Sequence, residues 1–266
     1  MRLTLREIAA SFDQRAATYD RNDWHRRVAE ALVAHCQLTT GSTVIDAGTG
    51  TGFVAVAASR ALGPHGHVLA VDLSAGMLAV AQRHVPTPET APITWRIGDA
   101  TALADVSSRT IDAVLAAAVL LYMPIADALR EWHRVLKPGG TVGFTAMRAG
   151  SPLAALLFRE TAAAAGVHLE DASATLGSES ACDVVLWEAG FRTRAVSAVV
   201  VPFSAQDVNI AWTSNLLSPA HTPVQALSAR TLERMRADFE ERMARAERRA
   251  PGSTTKSDVL VAIGRK

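Results

Sequence analysis

From residue 43 onward, short apolar runs alternate with longer stretches whose apolar residues recur every three or four places. Thr43–Asp46, His67–Asp72, Ile93–Ile97 and Ile111–Ala116 are bounded by turn residues and predict strands; a fifth run, Thr141–Ala146, follows the turn Lys137-Pro138-Gly139-Gly140. Between them, helical spacing predicts Phe53–Leu62, Ala75–His84 and Ile125–Leu136. Such alternation means βαβ units, hence an α/β class with a parallel sheet covered on both faces.

The flanks differ. Ile8, Phe12, Ala16 and Tyr19 recur at helical spacing, and a second helical segment runs from Trp24 to about Gln37. Beyond Gly150 the pattern predicts helices over Leu153–Gly166 and Ala181–Ala189, then a long strand, Phe191–Phe203. A short helix near Gln206–Asn215, a proline-punctuated loop over Ser218–Pro223 and a charged helix from about Leu227 to Arg249 precede a last strand, Lys256–Gly264. In the charged helix Leu232, Met235, Phe239 and Met243 share one face. That face either packs on the body of the protein or forms a lid whose apolar side meets a ligand.

Composition narrows the function classes. The 266 residues are near the upper limit for a single core, which favours one elaborated domain. Twenty-seven basic residues oppose 26 acidic ones, so the basic excess of a dedicated nucleic-acid binder is absent, and 5% aromatics offer little for base stacking. Cys36 and Cys182 have no CxxC neighbour, which argues against a disulfide framework or zinc cluster and for a reducing compartment. Met1–Glu7 has no signal-peptide core. The longest apolar stretch, Ala113–Met123, has 11 residues, whereas a spanning helix needs about 20. The expectation is a cytoplasmic protein with no membrane or nucleic-acid partner. His65-Gly66-His67 has no acidic or thiol neighbour, so no metal is expected.

The stretch Val44-Ile45-Asp46-Ala47-Gly48-Thr49-Gly50-Thr51-Gly52-Phe53 carries the candidate chemistry. Alternate glycines permit a tight turn and close approach of a ligand to the backbone. The following helix offers free N–H groups and its positive end. In doubly wound sheets, ligands bind beyond the carboxyl ends of the strands, where this loop lies. The dinucleotide fingerprint would place its third glycine at position 53, which is Phe53, and the Gly-Lys-Ser/Thr of a phosphate loop is missing.

The acidic residue followed by Gly-x-Gly-x-Gly resembles the first motif of class I S-adenosylmethionine-dependent methyltransferases. Val71-Asp72-Leu73-Ser74, Gly98-Asp99-Ala100 and Arg134-Val135-Leu136-Lys137-Pro138-Gly139-Gly140 resemble their later motifs in order and spacing. Within that family the chain is most similar to the ubiquinone/menaquinone-biosynthesis type. It shares Phe12-Asp13-x-x-Ala16-x-x-Tyr19-Asp20 near the start and Ala262-Ile263-Gly264-Arg265-Lys266 near the end.

The resemblance implies a Rossmann-like methyltransferase fold with a mostly parallel seven-stranded sheet. Residues 41–203 and 253–266 would form the cofactor-binding core, 1–40 a helical segment covering the site, and 204–252 a helical cap insertion. It implies S-adenosylmethionine as cofactor and S-adenosylhomocysteine as product. Asp46, Gly48, Thr49, Gly50 and Gly52 would cradle the methionine part. Asp72 would hold the ribose hydroxyls, with Leu73 and Met77 against the adenine and Asp99 and Ala100 at its edge and face. Ala117 and Ala118 would lie under the sulfonium, and Tyr19 would close the site.

The family geometry places Tyr122 against substrate, and Phe158, Trp212 and Leu216 are expected to complete an apolar pocket. Tyr122, His168 and His221 are the candidates for a general base, none of them assigned. The family's Asn/Asp-Pro-Pro-aromatic signature for amine methylation is replaced by Leu120-Leu121-Tyr122-Met123-Pro124, and the acidic cluster of magnesium-dependent relatives is missing. The expected substrate is an apolar or aromatic small molecule methylated on O, N or C by a monomer or homodimer. Methylation of protein or RNA on the same fold, and a non-methylating cyclase, stay open as alternatives.

Overall fold

The computed structural model describes residues 4–84, 87–171 and 173–266. Helix α1 (Leu5–Tyr19) starts at a capping box in which Thr4 and Glu7 satisfy each other's backbone N–H groups. After α2 (Trp24–Cys36), the predicted alternation follows as β1 (Thr43–Ala47), α3 (Phe53–Leu62), β2 (His67–Asp72), α4 (Ala75–Ala81), β3 (Ile93–Ile97), β4 (Ile111–Ala116), α5 (Ile125–Val135) and β5 (Leu136–Met147). The remainder comprises α6 (Leu153–Ala164), α7 (Glu179–Glu188), β6 (Arg192–Pro202), α8 (Ala205–Asn209), α9 (Ala211–Leu216), α10 (Thr222–Gln225), α11 (Ala229–Arg249) and β7 (Lys256–Arg265).

The seven strands form one sheet in the order β3-β2-β1-β4-β5-β7-β6, parallel except for the antiparallel β7. This is the seven-stranded architecture that the motifs imply. Two apolar layers sandwich the sheet, one built around Trp132, Phe144 and Leu129 and the other around Leu32, Leu62 and Val44. Chain order reverses between β1 and β4, which opens a crevice beyond their carboxyl ends.

Several boundaries differ from the sequence pattern, for local reasons. The Lys137–Gly140 turn belongs to the start of β5, where the register against β4 shifts between Ile111 and Ala113. Ser178 and Ser228 accept backbone N–H bonds and set the starts of α7 and α11. The segment expected as one helix near Gln206–Asn215 is two, α8 and α9, and the proline loop carries a 3-10 turn over Pro219–His221 followed by α10.

Segment 204–252 wraps α6. Phe158, Trp212, Val224, Met235 and Phe239 are buried together, with Leu216, Leu232 and Met243 packed on them. The apolar stripe of α11 therefore faces α6, not a ligand. Among the described residues no helix is long and apolar enough to cross a membrane.

Candidate active-site cleft

The glycine loop between β1 and α3 is pinned from both sides. Gly48 and Thr49 donate their N–H groups to the Val71 carbonyl at the end of β2, at 2.9 and 3.0 Å. Gly50 donates to Asp72 Oδ2 at 2.7 Å, and Ser74 donates to Asp72 Oδ1 at 2.9 Å. Asp72 thus couples the loop to the start of α4. Burial raises its pKa from the ordinary carboxylate value, against the pull of these N–H donors.

Asp46 lies behind the loop and is fully buried. Its Oδ2 accepts from Thr49 Oγ1 at 2.5 Å and from the Ala55 N–H at 2.9 Å, so the carboxylate caps the first turn of α3. Oδ1 has no protein partner. Burial pushes the Asp46 carboxyl up to about 7 against the hydrogen bonds from Thr49 and Ala55.

Two glycines of the loop do different work. A Cβ on Gly48 would sit 2.4 Å from Val119 Cγ2, whereas one on Gly50 would meet nothing within 4 Å. Both have positive φ, +73° and +56°. Opposite them, Ala118 follows β4 at φ 52°, a backbone state costly to a residue with a Cβ, and its N–H is held by Thr145 Oγ1 at 2.8 Å.

One cleft gathers these parts. Of the residues expected around a cofactor, Tyr19, Gly48, Gly50, Asp72, Leu73 and Met77 line it, as do Asp99, Ala100, Ala117 and Ala118. Asp99 spends Oδ1 on the Thr101 N–H and hydroxyl at 2.8 and 2.7 Å, which leaves Oδ2 available. Asp46, Thr49 and Gly52 do not line the cleft. Asp46 and Thr49 bond each other beneath the loop, and Gly52 caps α3 against the Trp95 ring.

The expected substrate set divides. Tyr122 lines the cleft, its ring edge-on to Phe12 at 5.2 Å. Phe158, Trp212 and Leu216 are corrected: they belong to the core around α6, because α11 and α9 cover their apolar faces. His221 is likewise removed as a candidate base, being stacked on Phe158 at 4.9 Å with Nδ1 bonded to the Asn215 carbonyl. His168 is exposed in the loop after α6 and does not line the cleft.

The resemblance set residues 1–40 over the site but, apart from Tyr19, named none of the side chains that line it. Leu5, Ile8, Ala9 and Phe12 of α1 line the cleft beside Val119 and Met123. The helical spacing of Ile8, Phe12 and Tyr19 marked the face that covers the cleft. Asp13 fixes the roof by accepting from Ser74 Oγ at 2.6 Å and the Gly76 N–H at 2.8 Å. His25, also unforeseen, stacks on Tyr19 at 4.5 Å, with Nδ1 3.4 Å from the phenol oxygen. Burial, and secondarily the Arg15 charge, bring its pKa down to about 3, so the ring is neutral. Burial raises the Tyr19 phenol above its ordinary value. Among the described residues no cluster of His, Cys, Asp or Glu could hold a metal ion.

Residues 44–140 match a family model described as a methyltransferase domain. The malonyl-[acyl-carrier protein] O-methyltransferase of Marinomonas sp. is 32% identical over 148 residues, 55% of this chain and 53% of that one. The demethylmenaquinone methyltransferase of Lactiplantibacillus plantarum is 34% identical over 143 residues, 51% and 60% of the two chains. The chain thus spans little more than half the length of these relatives. In fold it is similar to a chain of the complex between the Haloferax volcanii Trm112 methyltransferase activator and a methyltransferase, with TM-score 0.61, 20% identity and 96% coverage of both. It is also similar to Haemonchus contortus phosphoethanolamine N-methyltransferase 2 solved with S-adenosylhomocysteine, with TM-score 0.52, 18% identity, and 90% and 52% coverage.

Proposed function

We propose, from the premise that residues 44–140 are a class I S-adenosylmethionine-dependent methyltransferase domain, that this chain transfers a methyl group to an apolar or aromatic small molecule. The observation that carries the reading is the convergence of Gly50, Asp72, Asp99 and Ala118, from four separate loops, on one cleft roofed by α1.

The residues present fit the cofactor. Gly50 leaves open space where any side chain would intrude. Asp72 accepts one N–H on each oxygen, and the second lone pair of each can take a ribose hydroxyl. Leu73 and Met77 supply an apolar wall and Asp99 Oδ2 a free acceptor for an adenine amine. Beneath the loop, Asp46 Oδ1 is a buried acceptor without a partner. When bound, the cofactor supplies a methyl group activated on a positively charged sulfur.

The chain's own contribution is alignment. Phe12, Tyr122, Ile8 and Met123 give the mouth an apolar lining that excludes water and holds a flat or aliphatic acceptor. Positioning of this kind supplies several kcal/mol without acid–base help. The demethylmenaquinone in one relative's name supports a small-molecule acceptor, while the malonyl group in the other's is carried on a protein.

Calorimetry with S-adenosylhomocysteine tests the assignment. Asp72→Ala should lower affinity by about a hundredfold or more, since two bonds to a charged acceptor are lost, while the variant's melting curve stays cooperative. Unchanged affinity would remove the cofactor from this cleft. A screen for S-adenosylhomocysteine release with apolar and aromatic acceptors would then identify the substrate.

A further inference from the structure

Arg15 interrupts an otherwise apolar face. It stands three residues after Phe12 and four before Tyr19, so the three share one side of α1. Ile8, Phe12 and Tyr19 line the cleft, Ala16 is buried, and Arg15 stands half-buried over the Phe12 and Tyr19 rings at the edge of that wall, not within it. A guanidinium set among apolar side chains commonly answers a carboxylate. Among the described residues it has no ion-pair partner, although Arg26 and Arg27 on α2 and Arg134 on α5 all do.

Its geometry is fixed all the same. The Arg15 guanidinium carbon lies 5.4 Å from the Phe12 ring centroid and 5.5 Å from that of Tyr19. Contact through the π faces holds the planar group while leaving its N–H edge unpaired. That edge matches a carboxylate or phosphate in a two-bond clamp. The charge also registers on neighbouring groups: after burial, it is the largest influence on both His25 and Tyr19.

We propose that Arg15 selects an acceptor bearing an anionic group, a carboxylate or phosphate, whose apolar part lies against Phe12, Tyr122 and Met123. The inference rests on the cleft being the methyl-transfer site and names the chemical class of its substrate. A bound cofactor would bring a cationic sulfonium, which an unanswered Arg15 charge would repel. An anionic acceptor between them relieves that repulsion, so acid and cofactor should bind with mutual enhancement.

The test uses 2-naphthoate and its uncharged counterpart 2-naphthylmethanol as probes, titrated calorimetrically into the S-adenosylhomocysteine complex of the full chain. Wild type should prefer the acid by about tenfold or more, the worth of a charge-assisted clamp. Arg15→Gln should erase the preference without changing affinity for the alcohol, and Arg15→Lys should restore part of it. Affinity for S-adenosylhomocysteine alone should stay within about twofold in Arg15→Gln, against the hundredfold-scale losses expected of its direct ligands. No preference in wild type, or a preference that survives Arg15→Gln, would overturn the proposal. So would a loss of S-adenosylhomocysteine affinity in Arg15→Gln as large as the loss for the acid, which would assign Arg15 to the cofactor's own carboxylate. Failure of wild type to bind S-adenosylhomocysteine would instead reject the cofactor site, whereas the acid-to-alcohol comparison on the free protein would still report on Arg15.

Discussion

Gly48 and Gly50 lie two residues apart in the same loop, both at positive φ, yet alanine should affect them in different ways. At position 48 the new methyl would sit 2.4 Å from Val119 Cγ2, far inside contact distance. The left-handed backbone costs an alanine about 1–2 kcal/mol, and forcing a methyl into packed surroundings costs roughly 1–3 kcal/mol more. Gly48→Ala should therefore lose about 2–5 kcal/mol in stability, a fall of about 5–15 °C in melting temperature for a chain of this size. At position 50 nothing lies within 4 Å of the added carbon, so only the backbone term of about 1–2 kcal/mol applies. The methyl of Gly50→Ala instead projects into the cleft and should weaken S-adenosylhomocysteine binding by about tenfold or more, the equivalent of one clash of roughly 1.4 kcal/mol. Differential scanning fluorimetry and calorimetry on the two variants separate these effects. A Gly48→Ala protein melting within about 3 °C of wild type, less than the smallest cost allows, would refute the packing argument. Wild-type affinity in Gly50→Ala would refute the placement of the ligand.

Two further outcomes follow from the core and from His25. Trp212→Ala should destabilise the protein by about 3–5 kcal/mol and leave S-adenosylhomocysteine affinity unchanged, because Trp212 packs on Phe158 and Phe239 away from the cleft; chemical denaturation and calorimetry read the pair. The folded pKa of His25, about 3, lies below its ordinary 6.5, so its stabilising contribution is complete above pH 6.5 and is lost as the pH falls toward 3. At pH 5 the loss should approach about 2 kcal/mol, at 1.36 kcal/mol per pH unit. Denaturation of wild type and His25→Phe at pH 7.5 and pH 5 should show the variant losing less on acidification, and parallel losses would show that His25 titrates normally.

The inner strands were legible because burial writes itself into the sequence as apolar runs such as Val114–Ala116, whereas the edge strands β3 and β6 are half-buried or exposed along most of their length. The glycine loop was legible for a related reason: positive φ and close approach leave few residues that fit. Asp46 shows where such reading stops. The resemblance implied contact with the methionine part of the cofactor, but the side chain turns inward to cap α3, and sequence order does not reveal which way a carboxylate points. The cap gave the opposite error. Trp212 and Leu216 are apolar in an irregular region and looked free to line a pocket, whereas they are consumed in covering Phe158. Tyr122 was expected in the cleft from the family geometry, and it lines it from just beyond β4, a position tied directly to the sheet.

The antiparallel strand β7 separates two neighbours in space that are joined in sequence only through a long detour. It lies between β5 and β6 and pairs Thr141 with Arg265 and Arg192 with Arg265 in one ladder. During synthesis, the open edge of β5 must wait while residues 148–255 are made, about 5–20 s at ordinary elongation rates. Once made, β6 has no partner in the sheet until β7 follows, while α6 and the helices from α8 to α11 can already bury Phe158 among themselves. The helical layer around α6 is thus available to fold before the sheet closes, and the insertion of β7 is the step that joins the cleft-bearing half of the molecule to the half that surrounds Trp212.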